Sequence, residues 1–504
     1  MRGLDLDERA GGVILHPTSL PGPYGIGDLG PWAHRWIDIL ADSATGLWQI
    51  LPLGHTGYGD SPYACLSSFA GNVNLISPES LAAEGILDSL DPAPPSSGEL
   101  VDFGAVIPAK RSLVAAAHRS FVNGKTPSAL RDDYNTFRER NADWVEDYAL
   151  FIVIKDHHDQ QSWVAWPREL RLRDPAALRR ARAELAREID TIAFGQFLFF
   201  RQWEHVRVRA AQCGVRIIGD IPFFVAGDSA DVWSRPELFE LDSEGAPRLL
   251  TGVPPDYFSD DGQLWGNPQY RWSHHEAEGY AWWISRLEAT LSLVDIVRID
   301  HFRAFANYWE IPAGSATART GVWRDGPGLA FFETVQASLG DLPIIAEDLG
   351  ELSPKVPELL QEVGFPGMRV LQVAWDGGDD DPFLPHNYPM NTVVYSGTHD
   401  NDTTLGWWRT ADAELKAQAT HYMHLDPEDP VGGFLETLWG SRAMVTITPL
   451  QDLLRLGSEA RMNIPGTTSG NWRWRAREDQ FDDALVSQLK ALNERYQRLA
   501  VSQR

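Results

Sequence analysis

Cysteine is almost absent from the sequence. Cys65 and Cys213 are the two cysteines among 504 residues, which excludes a disulfide framework and a cysteine-based zinc site. Long apolar runs are absent as well, since none approaches the ~18 consecutive residues of a transmembrane helix. The first eight residues, MRGLDLDE, are acidic and lack the apolar stretch of a signal peptide. We therefore expect a soluble, cytoplasmic protein with no membrane partner.

Positive charge is scarce relative to negative charge. The chain has 44 Lys and Arg against 70 Asp and Glu, a formal net charge of −26. Such a field repels nucleic acid and anionic lipid, so neither is an expected partner. A solvated acidic surface accounts for most of this charge. The negative field suits a neutral or cationic ligand.

Aromatic residues are abundant, with 20 Trp, 21 Phe and 13 Tyr. Several of them lie in segments rich in Gly, Pro, Asn and Asp, where a ring is a poor core candidate. Rings in such loops make flat platforms for ligands with one apolar and one polar side, and sugars are such ligands. The candidates are Tyr257, Trp265, Trp272, Trp323, Trp407, Trp408, Trp472 and Trp474.

Eight short apolar segments alternate with helical stretches. This pattern favours a parallel sheet, and eight units predict an α/β fold of the (β/α)8 TIM-barrel type with inserted helical subdomains. A doubly wound open sheet is the alternative, but it would place polar residues at one switch point, whereas here they end the third, fourth, fifth and seventh segments. The segments are 13–15, 46–53, 216–222, 294–300, 343–350, 368–373, 392–402 and 444–450.

The domain prediction is a single catalytic barrel over 1–504 with two insertions. Residues 78–130 are rich in Pro, Ser and Ala and predict an irregular segment, whereas 128–212 predict helices. We therefore expect an inserted helical subdomain at about 78–190. Residues of about 222–290 predict an inserted loop region that covers a ligand, because long loops with aromatic rings are typical of lids and binding walls. No room remains after the eighth unit for a C-terminal β-domain.

The segment 294–302, VDIVRIDHF, predicts a buried strand that ends in charge. Residues two apart share a face of a strand, so Arg298 and Asp300 point the same way. The opposite charge of the Arg favours an ionised Asp300. A structural ion pair at a strand end is the alternative interpretation.

Other carboxylates follow other predicted strands: Asp220 the third, Glu347 the fifth and Asp400 the seventh. In a barrel, the carboxyl ends of the strands meet at one opening, where active sites lie. Glycosidic chemistry needs one ionised and one protonated carboxyl group, and we expect Asp300 ionised and Glu347 protonated. A Mg²⁺ or Ca²⁺ site is the rival interpretation, against which the position of Arg298 counts.

Seven segments in chain order together resemble the amylomaltases, the 4-α-glucanotransferases or disproportionating enzymes of the α-amylase clan. The resemblance covers nearly the whole chain, and no motif aligns at roughly 78–190. The segments are 16–22 (HPTSLPG), 57–63 (GYGDSPY), 252–257 (GVPPDY), 297–302 (VRIDHF), 345–350 (IAEDLG), 396–402 (SGTHDND) and 461–466 (RMNIPG).

The resemblance implies retaining transfer of α-1,4-glucan segments from a malto-oligosaccharide donor to the 4-OH of glucose or another glucan. Asp300 would be the nucleophile that forms a β-glucosyl-enzyme, Glu347 the general acid/base, and Asp400 the group that stabilises the distorted sugar. Retention predicts that the nucleophile and the acid lie ~5–5.5 Å apart. No metal and no cofactor are implied. The implied substrate-binding residues are Arg298, His301, His399, Asp220, Tyr63, Ser61, Tyr58, Asp256, Trp265 and Asn463.

Malto-oligosaccharides, glucose and amylose-type α-glucans are the expected partners, and we expect a monomer or a homodimer. Hydrolysis of α-1,4-glucans is an expected side activity, and a plain α-glucan hydrolase is the first rival. A catalytically inactive glucan-binding protein is the second. Residues 25–30 match the dinucleotide fingerprint G-x-G-x-x-G, but nine residues separate them from the preceding strand. That fingerprint requires a tight strand-to-helix turn, so we reject a nicotinamide-binding enzyme.

Overall fold

The computed structural model describes residues 9–87, 98–255, 260–350, 353–375 and 377–500. Its centre is a parallel sheet of eight strands: β1 (Ala10–Ile14), β2 (Leu47–Gln49), β3 (Arg216–Pro222), β4 (Ile296–Asp300), β5 (Ile344–Ala346), β6 (Gly367–Val370), β7 (Thr392–Tyr395) and β8 (Val445–Pro449). Their spatial order is β6-β7-β8-β1-β2-β3-β4-β5. The two ends of this order approach each other, because the backbone N–H of Ala346 in β5 donates to the carbonyl of Pro366 beside β6 at 2.9 Å. The predicted (β/α)8 barrel is confirmed.

The two faces of each barrel strand pack into different layers, as the pleat requires. In β4, Ile296 joins a small apolar cluster inside the barrel, whereas Val297 and Ile299 join the large core between the strands and the helices. Arg298 and Asp300 lie two and four residues after Ile296 and therefore share its face of the strand. The barrel therefore carries these two charged side chains on its inner face at the end of β4.

All eight predicted strands are present, but four of the predicted segments run three or more residues past the end of their strand. β2 ends at Gln49, β5 at Ala346, β6 at Val370 and β7 at Tyr395. The chain turns immediately after these strands, so Glu347, His399 and Asp400 lie in the loops at the barrel opening. Because these residues lie in loops, the alternation of side chains along a strand does not fix the directions of their side chains.

Helices surround the barrel and fill its connections. The α-helices are Pro31–Asp42, Pro78–Ala83, Phe103–Val122, Ala129–Arg140, Val145–His157, Arg168–Arg171, Pro175–Glu184, Ala186–Gln212, Ala230–Ser234, Trp272–Ala277, Ala281–Leu293, Gly328–Leu339, Lys355–Val363, Thr404–Thr410, Ala413–Met423, Pro430–Gly440, Leu450–Leu453 and Asp483–Arg495. Short 3-10 turns are Pro17–Ser19, Tyr58–Asp60, Val73–Leu75, Trp163–Ala165, Pro236–Leu238, Phe302–Phe305, Ala318–Thr320, Leu371–Val373, Pro385–Asn387, Ser458–Ala460 and Glu478–Gln480. Among the described residues, no helix combines the length and the apolar character needed to cross a membrane.

The prediction of an irregular segment at 78–130 is wrong for Phe103–Val122, which is a 20-residue helix. The Asp102 side chain accepts from the Ala105 N–H and caps its start, which satisfies one of the free donors of the first turn. Buried positions such as Val106, Val114 and Phe121 face the core. The division of the chain into domains at about 78–190 and 222–290 stays a prediction.

An antiparallel sheet of four strands lies in the connections around β4. Its strands, in spatial order, are Gln263–Pro268, Leu249–Val253, Asn307–Pro312 and Val322–Asp325. The first two strands fall in the region predicted as a loop over about 222–290, which also contains three helices. Gly and Pro around these strands concealed the alternation, so the sequence did not predict the sheet.

Candidate active site

Arg298 is the centre of the charged network at the barrel opening. Its Nη1 donates to Asp220 Oδ2 at 2.5 Å, its Nη2 donates to Asp300 Oδ1 at 2.9 Å, and its Nε lies 3.4 Å from Met368 Sδ. The Tyr63 hydroxyl donates to the same Asp220 oxygen at 2.7 Å. The Arg298 side chain is 4% exposed and that of Asp220 is fully buried. One guanidinium therefore fixes carboxylates from two neighbouring strands.

The net pKa shift of Asp300 is upward, which corrects the expectation that Arg298 sets it. Burial raises the pKa to about 6, Arg298 opposes this rise, and the charges of Asp220 and Asp400 add to it. The pKa of Arg298 is raised well above its ordinary value, because the attraction of Asp220 and Asp300 outweighs its burial. The sequence places the pair correctly, but it does not reveal how strongly the opening is desolvated.

Glu347 lies directly beside the end of β4. Its carboxylate accepts the backbone N–H of His301 at 2.7 Å through Oε2 and that of Leu349 at 2.9 Å through Oε1. Burial raises its pKa to about 7, and the charge of Asp300 adds to the rise, whereas Arg298 and the two N–H groups oppose it. The pKa values of both Glu347 and Asp300 are thus raised, and of the two it is Asp300 that pairs directly with Arg298. This contact is consistent with an ionised Asp300 beside a protonated Glu347.

Asp400 is held by partners from two loops. His399 Nε2 lies 3.3 Å from its Oδ2, and Asn463 Nδ2 donates to its Oδ1 at 2.6 Å. Burial raises the pKa of Asp400, but the charge and hydrogen bond of His399 and the hydrogen bond of Asn463 outweigh it, and the net pKa is lowered. Asp400 is therefore an ionised, fixed carboxylate. Asn463, which the resemblance implies as a sugar ligand, bonds to this carboxylate in the structure.

Aromatic rings line the two sides of the carboxylates. Tyr63 stacks on His399 with ring centroids 5.0 Å apart and an interplanar angle of 13°. On the other side, Trp265 meets His301 edge-on at 4.8 Å. His301 adopts the left-handed conformation, with φ of 53°, and this turn brings its N–H to Glu347.

The other predicted binding residues are less directly placed. Ser61 Oγ accepts the N–H of Tyr63 at 3.2 Å and supports that loop. The Tyr58 residue is 89% exposed. Asp256 lies outside the described residues, and so does Tyr257.

Similarity to known proteins supports the geometry. A profile of the 4-alpha-glucanotransferase family matches residues 15–480. The chain belongs to the 4-alpha-glucanotransferase family. A 4-alpha-glucanotransferase of Thermus thermophilus is 48% identical over 97% of this chain and 99% of its own length. A 4-alpha-glucanotransferase of Synechocystis sp. is 47% identical over 98% of this chain and 99% of its own.

The solved structure of an amylomaltase from Streptococcus agalactiae in complex with acarbose superposes with a TM-score of 0.93. It is 38% identical in sequence and covers 98% of this chain and 100% of that chain. The activity of the chain is therefore 4-alpha-glucanotransferase activity. The alternative of a nicotinamide-binding enzyme and that of an inactive binding protein are set aside.

Some of the aromatic platforms predicted for this 4-alpha-glucanotransferase are wrong. Trp472 and Trp474 are each 6% exposed and belong to the core. Trp472 instead packs against two residues of the site, with its ring centroid 5.8 Å from that of Tyr63 and 6.0 Å from that of His399. A loop composition rich in Gly and Asn did not indicate this burial.

Arg461 is a site residue that the sequence analysis left without a role. Its Nη2 donates to the carbonyl of Asp400 at 2.8 Å and its Nε to the carbonyl of Asn463 at 2.7 Å. It thus ties the loop after β8 to the loop after β7. The sequence feature that could have indicated a role for Arg461 is its position in the segment 461–466, which resembles the family.

The positive charge between two of the site carboxylates is supplied by the protein itself. The Arg298 guanidinium pairs with both Asp220 and Asp300. Among the described residues, no group of three His, Cys, Asp or Glu side chains is arranged to hold a metal ion.

Proposed function

We propose that this enzyme transfers α-1,4-glucan segments with retention through a covalent intermediate on Asp300. Asp300 attacks C1 of the donor sugar while Glu347 gives its proton to the glycosidic oxygen. The leaving glucan departs with a free 4-OH, and a β-glucosyl ester remains on Asp300. The bond to C1 is exchanged, and one proton moves from Glu347 to the leaving group.

The second half of the reaction reverses the first. The 4-OH of glucose or of another glucan gives its proton to the Glu347 carboxylate and attacks C1 from the face that the first glucan left. The ester to Asp300 breaks, and a new α-1,4 bond forms. Two inversions at one carbon keep the α configuration.

The observation that carries the proposal is that two interacting buried carboxyl groups have different partners. Asp300 makes a direct ion pair with the Arg298 guanidinium, whereas Glu347 accepts two backbone N–H groups, and burial raises the pKa of both. Arg298 holds Asp300 through Oδ1, and Oδ2 has no hydrogen-bond partner within the residues that the structure describes. A fixed carboxylate with one free oxygen suits a nucleophile, and a neighbouring carboxylic acid suits a proton donor.

Asp400 has the third role in the proposal. Its lowered pKa keeps it negative, and its oxygens are fixed by His399 and Asn463 before a sugar arrives. A preorganised negative charge stabilises the positive charge that develops on the sugar ring in the transition state. Asp400 thus lowers the barrier of both halves of the reaction.

Malto-oligosaccharides, glucose and amylose-type glucans are the proposed substrates. The acarbose complex of the Streptococcus agalactiae relative supports this class of ligand. Transfer requires that a sugar hydroxyl reach the intermediate before water does. Tyr63 and Trp265 border the carboxylates from opposite sides, and rings at these positions bind an acceptor and displace water. Hydrolysis is the proposed side reaction when the acceptor is absent.

The experiment that tests the proposal is incubation of the Glu347→Gln variant with maltotriose. Wild type should give a ladder of longer glucans, whereas the variant should give none, because the amide of Gln is too weak an acid to protonate the leaving oxygen. Glucan binding, followed by calorimetry, should survive. The matched control is Glu358→Gln, on the exposed face of helix Lys355–Val363, which should behave as wild type. A fully active Glu347→Gln variant would refute the assignment, and glucose and maltose without longer products from wild type would favour the hydrolase.

A further inference from the structure

Two buried histidines from different loops border one small cavity. His16 follows β1 and His399 follows β7, and both line a partly open pocket of about 20 Å³. The His16 residue is 4% exposed and the His399 residue 5%. The polar part of the wall includes Thr398, Asn401 and Arg461.

One ring nitrogen of each histidine is unsatisfied. Within the residues that the structure describes, Nδ1 of His16 and Nδ1 of His399 are buried without a hydrogen-bond partner. More than nine in ten buried polar groups in proteins have such a partner, provided either by protein or by ordered water. A polar cavity of at least ~10–15 Å³ holds one water molecule. The pocket that both histidines line meets that size.

We propose that one buried water molecule joins Nδ1 of His16 to Nδ1 of His399, which makes His16 a positioning residue for the His399–Asp400 pair. The Nδ1–H of His399 donates to the water oxygen, and the water donates to Nδ1 of His16. His399 then uses its Nε2–H on Asp400. The inference rests on the proposed function insofar as Asp400 stabilises the transition state.

The charges around His399 support this direction of donation. Burial lowers the pKa of His399, but the charge and hydrogen bond of Asp400 outweigh it, so its net pKa is raised. Burial, followed by the charge of His399, lowers the pKa of His16 to about 3. His16 is therefore neutral and able to accept. The titratable and charged groups that face His399 are His16, Tyr63, Asp220, Arg298, Asp300, Asp400 and Arg461.

Two near-isosteric substitutions separate the role of Nδ1 from mere packing. The amide of Asn places a polar atom near the position of Nδ1, whereas that of Gln places it near Nε2. His16→Asn should keep the water-mediated contact, and His16→Gln should lose it. The measurement is a ¹⁵N NMR titration of the full-length protein with labelled histidine, in which His399→Gln assigns the His399 signals.

In wild type and His16→Asn, His399 should titrate alike, with a pKa above that of an ordinary histidine. In His16→Gln, the pKa of His399 should fall by about one unit, and kcat/KM on maltotriose should fall about tenfold, the scale of one hydrogen bond. Equal His399 titrations in all three proteins, or a wild-type His399 whose pKa is not raised, would overturn the inference. Because the titration needs no turnover, its result is independent of the assay on Glu347→Gln that tests the proposed function.

Discussion

At the scale of single residues, the proposed mechanism makes activity depend on the protonation states of Asp300 and Glu347. In that mechanism Asp300 attacks C1 as a carboxylate, so activity should increase as the pH rises through about 6. Glu347 gives a proton to the leaving group, so activity should be lost as the pH rises through about 7. We predict a bell-shaped dependence of kcat/KM for maltotriose between these values, which belong to the coupled pair.

A substrate with a better leaving group checks the alkaline side of this bell. Fluoride leaves without a proton donor, so kcat/KM for α-maltosyl fluoride should keep the acidic decline and lose the alkaline one. An alkaline decline that is unchanged with the fluoride would contradict the role of Glu347.

A second prediction at this scale concerns Arg298. Arg298→Met leaves the fully buried Asp220 with the Tyr63 hydroxyl but without its cationic partner, and breaking a buried ion pair costs about 3–5 kcal/mol of unfolding free energy. Urea-induced unfolding measures this loss. The pKa of Asp300 should also rise further, because Arg298 opposes its upward shift, and the acidic decline of activity should move to higher pH.

The control for Arg298→Met is Arg495→Met. Arg495 pairs with Glu436 at 2.7 Å, and the two side chains are 64% and 50% exposed. Exposed pairs contribute about 0–1 kcal/mol, so this variant should unfold nearly as wild type does. An equal loss in both variants would mean that the buried network adds nothing.

The sequence predicts part of this network and misses the rest for physical reasons. Strand alternation is local, so it places Arg298 beside Asp300 without knowledge of the fold. The sign of the shift at Asp300 depends on desolvation, which the whole barrel opening creates. The contact of Asn463 with Asp400 joins residues 63 positions apart, and no local pattern indicates it.

At the scale of elements, the antiparallel sheet beside the barrel supplies an aromatic wall. Strand Gln263–Pro268 carries Trp265 to His301, at the edge of the sheet nearest the carboxylates. At the opposite edge, strand Val322–Asp325 carries Trp323, which packs on Trp309 and under the Arg303 guanidinium. The two tryptophan residues are similarly exposed, at 39% and 41%.

This pair allows a matched test of water exclusion. We predict that Trp265→Ala raises the ratio of hydrolysis to transfer several-fold, because an acceptor sugar loses its platform and water gains access to the intermediate. Trp323→Ala should leave the ratio unchanged. The measurement is the ratio of new reducing ends to new longer glucans from maltotriose. An equal rise in both variants would show that the wall near His301 has no special role.

Elements were predictable where their hydrophobic pattern is strong. The strand Arg216–Pro222 has the bounds that its apolar run predicts. The helix Phe103–Val122 was missed because its Pro108 and its many small residues weaken the pattern, although Asp102 caps it and tertiary packing stabilises it. The antiparallel sheet was missed because its strands pair across β4, and the pairing is not visible in any one segment.

At the scale of the whole molecule, the barrel brings the three carboxylates together. Asp300 ends β4, whereas Glu347 and Asp400 follow β5 and β7, and parallel strands direct all three to one opening. The count of eight strands and the polar residues at their ends predicted this arrangement. The helical part of the connection between β2 and β3, at about 78–190, matches no motif and could not be predicted beyond its class.

The central claim is that Asp300 becomes covalently attached to the donor sugar. The most direct test is rapid quenching of Glu347→Gln with α-maltosyl fluoride, followed by proteolysis and mass spectrometry. Fluoride departs without an acid and the base for the second step is missing, so the intermediate should accumulate. We predict one maltosyl unit on the peptide that contains Asp300. A maltosyl unit on a different carboxylate, or fluoride release with an inverted sugar product and no labelled peptide, would contradict the claim.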